Sequence, residues 1–80
     1  MPNQKQITLH QMQPGQSGIV FQIQGGHSLI NRLNALGIRP GQKIIKTGST
    51  LMRGPVTIKV GNAQVAIGFG MANKIIVELV

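Results

Sequence analysis

The sequence predicts a mainly β fold, a small barrel of five short strands. One short helix is inserted after the first strand, and a 3₁₀ turn precedes the last. Three observations carry this. Glycine supplies 11 of 80 residues, too many for a helical bundle and suited to short strands joined by tight turns. Several stretches alternate apolar and polar residues, the period of a half-buried strand. Only one stretch repeats its apolar residues with helical period.

Residues 1–6 are polar and read as a flexible N-terminal tail, leaving 7–80 as a single domain. ITLHQM (7–12) reads as a short strand or turn that brings Leu9 and Met12 onto the core. QPGQ (13–16) is a turn: proline presets φ at its first central position, and Gly15 supplies the positive φ that a type II turn needs at the second. SGIVFQIQ (17–24) is the first main strand. Its alternation sets Ile19, Phe21 and Ile23 on the core face and Gln22 and Gln24 outside, with Val20 breaking the pattern on the outer face.

GGHS (25–28) turns the chain into SLINRLNAL (28–36), where Leu29, Leu33 and Leu36 form one apolar stripe widened by Ile30. Ser28 is the expected N-cap. Gly37 is placed at C′, the left-handed position that ends a helix, with Ile38 folding back on the last turn. RPGQ (39–42) repeats the chemistry of QPGQ around Gly41, and KIIKT (43–47) is the next strand. GSTLMRG (48–54) reads as a loop. PVTIKV (55–60) points Val56, Ile58 and Val60 inward. GN (61–62) is a two-residue hairpin turn, and AQVAIG (63–68) returns with Val65 and Ile67 inward. FGMAN (69–73) is the 3₁₀ turn, and KIIVELV (74–80) the last strand, with Ile75, Val77 and Leu79 inward. Closing such a sheet removes most of its exposed edges. The architecture is that of an SH3-like barrel.

The order PGQSGIV, IQGGHSLINRLNALGIRPG, GPVTIKV, VAIGFGMANKIIVEL resembles the FeoA family, small cytoplasmic proteins of bacterial ferrous iron uptake. The resemblance covers about residues 8–79. The same module forms the C-terminal domain of iron-dependent repressors of the diphtheria-toxin-repressor type. The resemblance implies the SH3-like barrel and a partner, the FeoB membrane transporter with its cytoplasmic GTP-binding domain. It implies no catalysis and, at family level, an association with transition metal ions. The family often carries charged residues just before the final strand, where this chain reads GFGMAN (68–73).

Composition bounds what such a module can do. A domain this size buries only about 60–65% of its unfolded surface, so its core is small and a deep active-site cavity is not expected. The chain has no cysteine, which excludes disulfides and thiolate metal sites and fits a reducing compartment. No apolar run is long enough to span a bilayer, and the N-terminus lacks the apolar core of a signal peptide. A cytoplasmic protein is the expectation. One acid, Glu78, and no cysteine leave no pair for general acid–base or nucleophilic work, so no enzyme is expected. His10, His27 and Glu78 have no metal-ligand spacing, so neither a metal site nor a cofactor is expected.

Eight Lys and Arg against one acid give a net charge of +7, a field that favours acidic partners. A basic barrel binding nucleic acid non-specifically is the rival reading. It has few aromatic platforms, with Phe21 on the expected core face and only Phe69 left to display. A weak homo-oligomer is the third reading. Arg32 is either an exposed helix charge or a partner for Glu78. The expected docking surface is the loop residues Leu51, Met52 and Arg53, with Arg32 beside them. An apolar pair in a loop either plugs the barrel end or meets a partner, and Arg53 can steer it toward an acidic surface. Gly15, Gly37 and Gly41 are structural positions.

Overall fold

A computed structural model describes residues 5–49 and 54–80. Its strands are β1 (Gln6–Thr8), β2 (Ser17–Ile23), β3 (Lys43–Ser49), β4 (Val56–Val60), β5 (Ala63–Ile67) and β6 (Ile75–Leu79), with helices α1 (His27–Ala35) and α2 (Phe69–Ala72) and a 3₁₀ turn at Leu9–Gln11. The six strands form one antiparallel sheet in the order β1-β6-β2-β3-β4-β5. The fold is mainly β and SH3-like as expected, with one strand more than expected, β1. Among the described residues β1 and β5 each have one neighbouring strand, so the sheet curls without closing.

The helix ends as the sequence requires. Gly37 has φ +90°. Ile38 N–H reaches the Leu33 carbonyl at 2.9 Å and Gly37 N–H the Asn34 carbonyl at 3.0 Å, which is the Schellman arrangement. Leu33 and Ile38 are both fully buried, so the corner also closes an apolar contact. The helix begins differently from expectation. Its N-cap is Gly26, with no side-chain capping bond, and Ser28 lies inside the first turn.

The two PGQ turns are built alike, and the likeness extends beyond them. Gly15 and Gly41 each have φ +93°. Gly15 N–H donates to Lys46 O at 2.7 Å, and Lys46 N–H donates back to Gln16 O at 3.0 Å. Gly41 N–H donates to Val20 O at 2.8 Å, and Val20 N–H returns to Gln42 O at 2.8 Å. A β-bulge follows in each strand, at Phe21 in β2 against β6 and at Thr47 in β3 against β4. A local twofold relation therefore passes between the paired residues Gly18 and Ile44. The sequence shows this only as a repeated tripeptide.

The first bulge overturns the expected facing of β2. Val20 and Ile23 are buried at 1% and 8% exposure, while Phe21 is 48% exposed and Ile19 half-buried. An extra residue in one strand resets the two-residue alternation, so both Phe21 and Gln22 lie outward between two inward residues. The segment 69–73 also departs from expectation. Ala72 N–H bonds Gly68 O at 2.9 Å and Asn73 N–H bonds Phe69 O at 3.1 Å, the spacing of an α-helical turn. The 3₁₀ turn instead follows β1, stabilised by a capping box between Thr8 and Gln11.

The core gathers Leu9, Met12, Leu33, Ile38, Ile44, Ile58, Ile67, Ile75 and Val77 around Val20 and Val56. One charged residue joins them. Lys46, 2% exposed, occupies the place on β3 that Val20 occupies on β2. Its Nζ donates to the carbonyl of His10 at 3.0 Å and to that of Met12. Both carbonyls lie at the end of the 3₁₀ turn, where backbone dipoles leave partial negative charge. Desolvation lowers the Lys46 pKa below its ordinary value of 10.5.

Candidate functional site

Outside their bulges β2, β3 and β4 bury alternate residues, so their other side chains form an outward face. Ile19 sits between Glu78 of β6 and Lys43 of β3. Ile45 sits between Ser17 and Lys59, and Gln64 follows Lys59 on β5. Lys43 and Lys59 are thus diagonal neighbours on one face, a relation that in ordinary sheets spans about 7–8 Å. Together with Gln42, Ile45 and Gly61 they line a shallow hollow of about 270 Å³. Gly61, in the β4–β5 hairpin turn, has φ +60°, and its missing side chain leaves the hollow open on that side.

The hollow's surroundings are tied down. Gln42 Nε2 donates to Lys43 O at 3.0 Å, Thr47 Oγ1 to Thr57 O at 3.1 Å, and Gln64 Nε2 to Thr47 Oγ1 at 3.3 Å. Glu78 is on the same outward face, but its carboxylate accepts from Gln6 Nε2 at 3.0 Å rather than from a Lys or Arg among the described residues. The alternative of an Arg32–Glu78 pair is therefore not realised. Arg32 is exposed in the last turn of α1.

The face is half apolar as well as basic. Ile19, Ile45 and Ile76 are half-buried, and Phe21 and Val80 are exposed. Phe21 lies beside the 39–42 turn, since Gly41 N–H binds the carbonyl of its neighbour Val20. Phe69, the aromatic expected at the surface, is half-buried instead, with its ring 4.6 Å from that of His10 in an edge-on packing. His10 is likewise half-buried, and its Nδ1 is buried without a hydrogen-bond partner. His27 is exposed at the first position of α1. Among the described residues no three His, Asp or Glu side chains come together as metal ligands do.

Leu51, Met52 and Arg53 lie outside the described residues. Gly15, Gly37 and Gly41 hold the positive φ values their turns and cap require. Sequence reasoning missed the Lys43–Lys59 hollow and the exposure of Phe21. The first needs the β3–β4 register, in which Ile45 faces Lys59. The second needs the bulge, whose only trace in the sequence is Val20 interrupting the alternation.

Residues 7–79 match the family model of the FeoA domain. The chain belongs to the FeoA family. A crystal structure of a protein named Iron Uptake Regulatory Protein (FeoA) is similar over 95% of this chain and 99% of its own, at 37% identity and TM-score 0.87. A FeoA-like protein from Clostridium acetobutylicum shares the fold at 21% identity and TM-score 0.83, over 95% of this chain and 88% of its own. A manganese-dependent transcriptional repressor contains the same fold at 18% identity and TM-score 0.87. The likeness covers all of this chain and 45% of the repressor. No curated protein matches. Among the described residues of this FeoA domain, no helix is long and apolar enough to cross a membrane.

Proposed function

We propose that this FeoA domain is a non-catalytic accessory module of ferrous iron uptake that works in the cytoplasm by docking on the cytoplasmic, GTP-binding part of a FeoB-type membrane transporter. The observation that carries the reading is the family match across residues 7–79. The 37% identity to a FeoA protein along almost that protein's whole length supports it. A half-apolar, cationic sheet face on a small rigid fold suits recognition of another protein, because apolar residues hold a contact and charges steer it.

Leu51, Met52 and Arg53, with Arg32, are proposed as contacts in that docking. The test pairs Leu51→Asp with Met52→Ser and measures both thermal melting and capture of the transporter's purified cytoplasmic domain. Unchanged melting with lost capture is the expected result. Capture by neither the parent nor the variant overturns the docking function. Capture by both leaves the function standing and removes the loop from it, and unfolding of the variant identifies the pair as a barrel plug.

A further inference from the structure

The outward sheet face carries a feature that the loop proposal does not use. Lys43 and Lys59 project from adjacent strands into one hollow with an isoleucine, Ile45, among its walls. Among the described residues neither ammonium group is in an ion pair. The only acid, Glu78, is engaged by Gln6, and the whole chain carries +7. A second copy would bring the same excess of positive charge, so self-association through this face brings like charges together. A molecule of opposite sign is the partner whose charge complements this face.

The shape and chemistry of the face narrow that molecule. At about 270 Å³, the hollow is smaller than the roughly 300–1,000 Å³ of ordinary small-molecule sites. It suits one side chain better than a nucleotide. Ile45 in the hollow and Ile19 next to Lys43 favour a ligand that brings apolar groups along with its charge. Nucleic-acid interfaces are polar and use their cations mainly on phosphates, and stacking on single strands uses successive aromatics. Here one exposed phenylalanine, Phe21, borders the face. An acidic protein segment satisfies both demands: a carboxylate between the two ammonium groups, and an apolar side chain on Ile19 and Phe21.

We infer that the outward face of β2, β3 and β4 is a docking surface for an acidic protein segment that alternates carboxylate and apolar side chains, with Lys43 and Lys59 holding a carboxylate over Ile45. This rests on the docking reading above only where the segment is assigned to the transporter. The surface itself stands on the geometry.

The test uses the ¹⁵N-labelled full chain and, as probe, a short synthetic peptide alternating Glu with Leu. The amides of Ile19, Phe21, Lys43, Ile45 and Lys59 are expected to shift. The same peptide with Gln for Glu should leave them in place. The Lys43→Glu and Lys59→Glu double variant should weaken the peptide about tenfold or more, as reversal of paired interface charges does. The neutral pair, Lys43→Gln with Lys59→Gln, also loses affinity and guards against misfolding of the reversal. Shifts confined to another face, or binding indifferent to both double variants, overturn the inference. So does tighter binding of a single-stranded oligonucleotide than of the peptide on the same amides. Failure of the transporter's cytoplasmic domain to bind anywhere, with the peptide still on this face, overturns the transporter assignment alone.

Discussion

Lys46 Nζ donates to the carbonyl of His10 at 3.0 Å from a site where only 2% of the lysine is exposed. The same nitrogen also holds the Met12 carbonyl, so one buried cation ties the 3₁₀ turn to β3. Replacing it by Lys46→Met keeps most of the volume but leaves both carbonyls without this donor. The expected loss is about 1–3 kcal/mol, the cost of stranding buried polar groups. Chemical denaturation of the variant beside the parent checks it. Unchanged stability would mean that water reaches both carbonyls.

The same lysine makes stability depend on pH in a defined direction. Burial lowers its folded pKa below 10.5, so the unfolded chain binds the proton more tightly. Between the lowered folded value and 10.5, folding releases that proton, and stability rises with pH through the window. Below the window both states are protonated and the contribution is flat. Melting temperatures taken from neutral pH to about 10.5 should therefore climb more for the parent than for Lys46→Met. The comparison cancels the general easing of repulsion among the other lysines. Parallel curves would refute the effect.

Gly37 should resist substitution. Its φ is +90°, and an added Cβ would approach Val60 Cγ1 at 3.3 Å. Gly37→Val should cost at least about 1–3 kcal/mol, because a β-branched residue is strained there. Gly48→Ala is the control, since a Cβ at Gly48 meets nothing within 4 Å and its φ is not positive. Thermal melting of the two variants should separate them clearly, and equal melting points would discard the cap.

The β2 bulge predicts an inverted pair of effects. Val20→Ala removes buried apolar atoms and should cost about 1–3 kcal/mol. Phe21→Ser, at a residue 48% exposed, should change stability much less despite deleting the larger side chain. Denaturation midpoints decide the order. A costlier Phe21→Ser would restore the unbroken alternation that the sequence suggests.

Most of the fold was legible because local chemistry specifies it. The Pro-Gly turns, the glycine after α1 and the Gly61–Asn62 hairpin each demand one backbone geometry, and each is found. The facing of β4 was legible because Val56, Ile58 and Val60 alternate without interruption. The facing of β2 was not, because a bulge is set by the partner strand β6 and leaves composition unchanged. Lys46 was missed for a related reason: a lysine in a strand reads as outward unless the carbonyls that receive it are known. The candidate site was the least legible part. Lys43 and Lys59 are far apart in the chain and become neighbours only through the β3–β4 register.

The position of β6 has a consequence for how the protein is made. It is the last strand in sequence, yet it lies inside the sheet between β1 and β2, pairing Gln6 with Glu78 and Ile19 with the same residue. During translation β2, β3, β4 and β5 can pair as they emerge, but one side of β2 must wait, and β1 has nothing to join. The strand that joins both halves emerges after the other five, so the second edge of β2 is covered last. Until then β2 presents an open edge, the kind of surface on which unfinished chains aggregate. Loss of Ile75–Leu79 would leave that edge open permanently, which makes β6 as costly to lose as the core.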